Sequence, residues 1–167
     1  MDSLESTIFV NDLYSKEEIK KLRTDFWDGF HKFSASRRRK LGKPKKWVMQ
    51  NTGINAIDLK FHIDHKRASV GIDVVSKSLD KKVAYWNKFL GVQNLLNQEF
   101  EQEVIWDDMY TLDSGKDIIR IAVYKNNVDI LDKSCWWEVY GFFFENMIKF
   151  ENWFEEYKDI LRVPQVI

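Results

Sequence analysis

Apolar residues recur at three- and four-residue steps from Ile19 through Leu22, Phe26, Phe30 and Phe33, the period of an amphipathic helix with one face on a core. Ser15-Lys16-Glu17-Glu18 stands just before that stripe. It has the residue types of a capping box, in which the serine hydroxyl accepts from the backbone and the glutamate reaches back. The pattern predicts a first helix that starts at Ser15 and fades near Ala35. The period then changes to two. In "AIDLKFHID", Ile57, Leu59, Phe61 and Ile63 alternate with Asp58, Lys60, His62 and Asp64, and in "ASVGIDVV" Ala68, Val70, Ile72 and Val74 alternate likewise. Such alternation marks half-buried strands. A hairpin turning at His65-Lys66 pairs Ile63 with Ala68, Phe61 with Val70, Leu59 with Ile72 and Ile57 with Val74. Every apolar residue then lies on one face, and a slip of one position would bury the charges.

Helical spacing returns over about Leu79 to Phe100, where Val83, Trp86, Leu90, Leu96 and Phe100 form a looser stripe. Ser78 is its expected cap, Asp80 suits its first turn, and Gly91 weakens it midway. A three-stranded meander is expected next, from Val104 to Leu112, Asp117 to Lys125 and Val128 to Leu131. Ser114-Gly115 and Asn126-Asn127 supply its turns. Trp136, Val139, Phe143, Met147, Phe150, Phe154, Tyr157 and Leu161 keep helical spacing to the end, with Pro164 beyond. The expected fold is α+β: an antiparallel sheet, made of the hairpin and the meander, packed by three main helices in the order α-ββ-α-βββ-α. Residues 1–14 form an N-terminal segment in this reading, with Thr7-Ile8-Phe9-Val10 as a short strand or anchor. Residues 15–163 form one domain and 164–167 a tail.

Composition adds bounds to this outline. Of 167 residues 44% are hydrophobic and 15% aromatic, which is ample for a packed core. The single Cys135 cannot form an internal disulfide, so a reducing, cytoplasmic setting is expected. The acidic N-terminus lacks the apolar centre of a signal peptide, and no apolar run approaches a membrane span. Net charge is zero but unevenly spread: residues 1–83 hold 18 Lys and Arg against 11 Asp and Glu, and residues 84–167 hold 8 against 15. Such an asymmetry suits a polyanion-binding face, or head-to-tail contact within one fold or between two copies.

Much of the positive charge lies in one stretch, "SRRRKLGKPKKW". Its Arg37, Arg38, Arg39, Lys40, Lys43, Lys45 and Lys46 are candidate phosphate contacts, and Trp47 a candidate stacking platform for a base. Gly42 and Pro44 make the stretch an expected exposed loop. The hairpin register raises a second candidate. Asp58 and Asp73 become direct cross-strand neighbours, a like-charge conflict that a divalent metal, a bridging Lys60 or plain solvent screening could each relieve. A nuclease of the restriction-endonuclease type places a Glu-x-Lys on the second strand. Here that strand reads Gly71-Ile72-Asp73-Val74-Val75, with no lysine two residues on.

Other chemistry is sparse. His31, His62 and His65 lack metal-ligand spacing, and no Gly-rich phosphate loop or nucleophile elbow occurs. Cys135 at the start of the last helix would have a lowered thiol pKa there, with His62 a distant candidate base. Arg120, alone within "IIRIAVY", is expected to pair with Asp107 or Asp108 across the meander.

Several stretches together carry a family resemblance: "FWDGF", then "TGI" with "LKFHIDHKRASVGIDV", then "IW" ahead of "GKDIIRI", then "WWEVYGFFFENMIKFENWFEEYKDIL". In this order they resemble a bacterial family of domains of unknown function often found C-terminal to restriction-endonuclease-like modules. The resemblance covers about Leu22 to Leu161. Its motifs are aromatic and structural, so it implies a shared fold and carries over no catalytic residues. The sequence reading is a non-enzymatic intracellular binding domain without cofactor, contacting DNA or RNA through the basic stretch. A structural module that forms homo-oligomers, or a degenerate metal nuclease built on Asp58 and Asp73, are the alternatives.

Overall fold

The computed structural model of the protein describes residues 14–47 and 52–163. The expected piece at Thr7-Ile8-Phe9-Val10 and the tail at 164–167 lie outside the described residues. Helix α1 spans Lys16–Lys40, strands β1 and β2 span Ile57–Ile63 and Arg67–Val74, and helices α2 and α3 span Leu79–Gly91 and Gln93–Asn97. Strands β3 and β4 span Ile105–Thr111 and Asp117–Asn126, and a 3-10 turn at Lys133–Cys135 leads into helix α4 at Trp136–Leu161. The fold is α+β, as the sequence predicts.

The hairpin has the expected register. Asp64 N donates to Arg67 O and Val75 N to Ala56 O, two bonds that bracket a turn centred on His65-Lys66. The Asp64 carboxylate closes the turn by accepting from Lys66 N and Arg67 N at 2.7 and 2.9 Å, a local bond that aspartate makes readily. The four strands form one sheet in the order β1-β2-β4-β3. β4 is apolar on both sides of its centre, and Ile118 through Val123 are all buried, as suits an interior strand. β3 pairs antiparallel to β4 with Ile105 opposite Ala122 and Asp107 opposite Arg120, and the register shifts between Asp107 and Tyr110.

Three details differ from the sequence reading. The second helix breaks where Gly91 weakens it: Val92 leaves helical geometry at φ −120° and ψ 15°. The third stretch of the meander is not a strand. Asn127 takes a left-handed φ of 61°, and beyond it Val128 N and Ile130 N donate to Lys66 O and Asp64 O at the hairpin tip. Those carbonyls offered the backbone partners that a third meander strand would have sought in β4. The third difference is α1, which runs past Ala35 to Lys40. Its buried positions are Phe26, Phe30, Ser34 and Arg38, an unbroken four-residue step whose second half is polar. Periodicity counted on apolar residues alone ends too early.

The chain divides into two compact units. One comprises residues 14–47, 63–68 and 125–142, and the other residues 52–62, 69–124 and 143–163. The core of the first is aromatic. Phe26 packs on Tyr140 and Trp136 with ring centroids at 5.1 and 5.4 Å, and Phe33 packs on Tyr140 and Trp137 at 5.6 and 5.1 Å. Gly29 is the small residue this packing needs, because a Cβ there would collide with the Tyr140 hydroxyl. That hydroxyl donates to Phe26 O at 2.7 Å. In the second unit the apolar sheet face carries Phe61 against Phe143 at 5.0 Å, and Trp106 against Trp86 and Phe89 at 6.0 and 6.5 Å. Phe89 in turn stacks on Trp153 at 6.3 Å.

Candidate functional site

The basic stretch is not one exposed loop. Arg37, Arg38, Arg39 and Lys40 form the last turn of α1, and Leu41 caps it through its N–H to Arg37 O and Arg38 O. Cations suit a helix C-terminus, where the carbonyl ends carry partial negative charge. Only the segment from Leu41 to Trp47 is irregular, turning at Gly42 with φ 70°. Arg38 points inward and is 1% exposed. Its Nε donates to Pro44 O at 2.7 Å and its Nη2 to Lys46 O at 3.1 Å, and the guanidinium sits 4.0 Å over the Trp47 ring. Trp47 is also stacked on Phe30, with centroids 6.4 Å apart and planes 8° from parallel. Arg37 packs its guanidinium 3.5 Å over Phe33 and donates to Phe33 O at 3.1 Å.

Arg38 and Trp47, both read as solvent-facing contacts, therefore shape the turn from inside. Arg39, Lys40, Lys45 and Lys46 are exposed, and Lys43 is half-buried. The sequence signal for Arg38 was present in its spacing: it stands four and eight residues beyond Ser34 and Phe30 on one helical face.

The polar sheet face holds the second candidate. Asp73 and Arg120 are both buried and form a two-pronged ion pair, Nε to Oδ1 and Nη2 to Oδ2, each at 2.8 Å. Arg120 also sits 4.1 Å from the Tyr110 ring centroid. Burial alone would lower the Arg120 pKa, but the Asp73 hydrogen bond and charge outweigh it and raise it. The expected pairing with Asp107 or Asp108 does not occur. Asp107 faces Arg120 in the backbone register, yet its Oδ1 accepts from Met109 N at 2.9 Å where the strand bulges. The like-charge conflict between Asp58 and Asp73 is met by Arg120, which occupies both Asp73 oxygens. What remains is visible on Asp58, whose pKa is raised first by burial and also by Asp73, against the lowering effect of Lys60.

The strands approach closely here. A Cβ on Gly71 would run into Ile121 O and come within 2.6 Å of the Ala122 Cβ. A cavity of about 210 Å³ opens over this face, lined among others by Lys60, His62, Ser69 and the ion pair.

The remaining candidates are not drawn together. His31 and His62 are exposed, and His65 Nδ1 lies 3.0 Å from Asp129 Oδ1 at the hairpin tip. Among the described residues no group of three His, Cys, Asp or Glu side chains could hold a metal ion. Cys135 contradicts its expected activation. Its thiol pKa is raised, first by burial and also by Asp132 and Asp129, although Asp129 O accepts its Sγ–H at 3.2 Å. The 3-10 turn before α4 puts this thiol beside the carbonyls of Asp129 and Asp132. No described helix is long and apolar enough to cross a membrane.

A family model described as Domain of unknown function (DUF4268) matches residues 22–158. No curated protein and no solved structure matches the chain.

Proposed function

The chain belongs to this family of domains of unknown function, and from that premise we propose that it is a non-enzymatic binding module for nucleic acid. The phosphate backbone would meet the exposed Arg39, Lys40, Lys45 and Lys46. The observation that carries this reading is the pair of Arg38 bonds to Pro44 O and Lys46 O. They hold the turn after α1 in one shape, so four cations stand on a preorganised corner and binding need not order a loose loop. Trp47 is sandwiched between Phe30 and Arg38, so base stacking is no part of the proposal. Contacts limited to phosphate carry little sequence information. The resemblance to domains that accompany restriction-endonuclease-like modules in bacteria supports the same reading. The lone cysteine is in keeping with a cytoplasmic setting.

Fluorescence anisotropy with labelled DNA and RNA across a salt series tests it. Log affinity should fall linearly with log salt, by about 0.7 to 0.9 per phosphate neutralised, hence a slope of about −3 for four contacts. The Arg39→Glu/Lys40→Glu/Lys45→Glu/Lys46→Glu variant should lose binding. No binding of either nucleic acid at low salt, or equal binding by that variant, would end the proposal.

A further inference from the structure

We infer that the second unit holds a site for a small phosphate-bearing molecule, in a cavity of about 460 Å³ onto which Lys77, Lys81, Tyr85 and Arg162 converge. The cavity is walled by the chain entering β1, the chain leaving β2, one face of α2 and the residues after α4. Among the described residues three cations line it, and no carboxylate does. That is an unusual balance for a chain of zero net charge. Its volume lies within the range of small-molecule sites.

The polar groups are free to receive a ligand. Lys77 and Lys81 are exposed, and neither ammonium has a protein partner among the described residues. Lys81 and Tyr85 stand four apart on α2 and so share a face. Tyr85 is only 7% exposed, yet its hydroxyl has no protein hydrogen-bond partner among the described residues. Tyr85 lines the cavity, where a ligand oxygen would pair with its hydroxyl. Arg162 is anchored by Nη1 to Gly53 O at 3.1 Å and by Nε to Asp159 Oδ1 at 3.3 Å, which leaves Nη2 for the ligand. Its charge is felt at Tyr85, where it opposes the raising of the phenol pKa by burial.

A phosphate monoester carries up to two negative charges and several acceptor oxygens, which three cationic donors and a phenol can meet together. Ile54, Ala56 and Val75 add apolar wall for the rest of such a molecule.

Isothermal titration of the full chain at low salt, with inorganic phosphate and with adenosine monophosphate, tests the site. Saturable binding of at least one is expected. Phosphate binding would make the free anion sufficient, and binding of the nucleotide alone would give the apolar wall a share. Lys77→Ala/Lys81→Ala should weaken binding about tenfold or more, and Tyr85→Phe about threefold. Both lysines are exposed, so the double variant should melt as the parent does. The reversal of Arg39, Lys40, Lys45 and Lys46 should leave phosphate binding unchanged, which separates this site from the nucleic-acid reading. Absence of heat with both ligands, or undiminished affinity in Lys77→Ala/Lys81→Ala, would overturn the inference.

Discussion

Arg38 and Arg120 are both buried, at 1% and 7% exposure, and each sits over an aromatic ring, Trp47 at 4.0 Å and Tyr110 at 4.1 Å. They differ in what they join. Arg120 reaches Asp73, 47 residues away, and ties β4 to β2. Arg38 reaches the carbonyls of Pro44 and Lys46, six and eight residues on, and ties a turn to the helix before it. The same planar donor fork serves both. In the sheet it closes a long loop of chain and neutralises a buried carboxylate. At the helix end it fixes a local shape. Loss of the first should therefore be felt as global stability, and loss of the second mainly as the conformation of the corner.

The largest effect should follow from breaking the sheet pair on one side. Arg120→Ala or Asp73→Ala leaves a buried charge alone and should cost about 3 to 5 kcal/mol, read as a lower urea midpoint at unchanged slope. Replacing both, as Asp73→Val with Arg120→Leu, removes both charges and should restore most of that loss. A double variant as unstable as either single one would mean that the pair sets strand geometry beyond its charges.

Arg38 should give a smaller and more local effect. Arg38→Ala removes two charge-assisted bonds and the contact with Trp47, about 2 kcal/mol. Nucleic-acid affinity should fall as well, although Arg38 is buried and offers no phosphate contact. Arg38→Lys keeps the charge but loses the fork. If it also loses affinity, shape rather than net charge is what the corner supplies. Full affinity in Arg38→Ala would remove the argument for preorganisation.

The two arginines also mark where the sequence was legible. The hairpin register could be read because eight apolar strand positions recur at a step of two and one face must stay dry. The break at Gly91 and the turn at Asn126-Asn127 were carried by local backbone chemistry. Arg120 stood out as a lone charge among buried β4 residues, and its need for a carboxylate was evident. Its choice of Asp73 over Asp107 depended on strand order, because β2 rather than a third meander strand lies beside β4. Arg38 was hidden by its neighbours. Among Arg37, Arg39 and Lys40 nothing but helical phase distinguishes the inward residue, and the apolar stripe that reports the phase had given way to Ser34. The cavity at Lys77, Lys81 and Arg162 brings together residues 85 positions apart with no shared motif, so no spacing rule could find it.

A third buried polar anchor, Tyr140, sharpens the comparison by doing without charge. Its hydroxyl donates to Phe26 O through the gap left by Gly29, and so fixes the middle of α1 as Arg38 fixes its end. Tyr140→Phe keeps the ring and loses one neutral bond, which should cost about 1 kcal/mol, the smallest of the three effects. It should also change the alkaline limit of stability. Burial, with Asp25 adding to it, moves the Tyr140 pKa from 10.0 up to about 12. The folded state thus holds this proton after the unfolded chain has released it. A raised pKa contributes stability that is complete below pH 10 and declines as pH rises towards about 12. Denaturation curves for Tyr140→Phe should therefore approach those of the parent across that window. A constant gap from pH 8 to 12 would show that the hydroxyl ionises alike in both states, and that burial does not hold its proton.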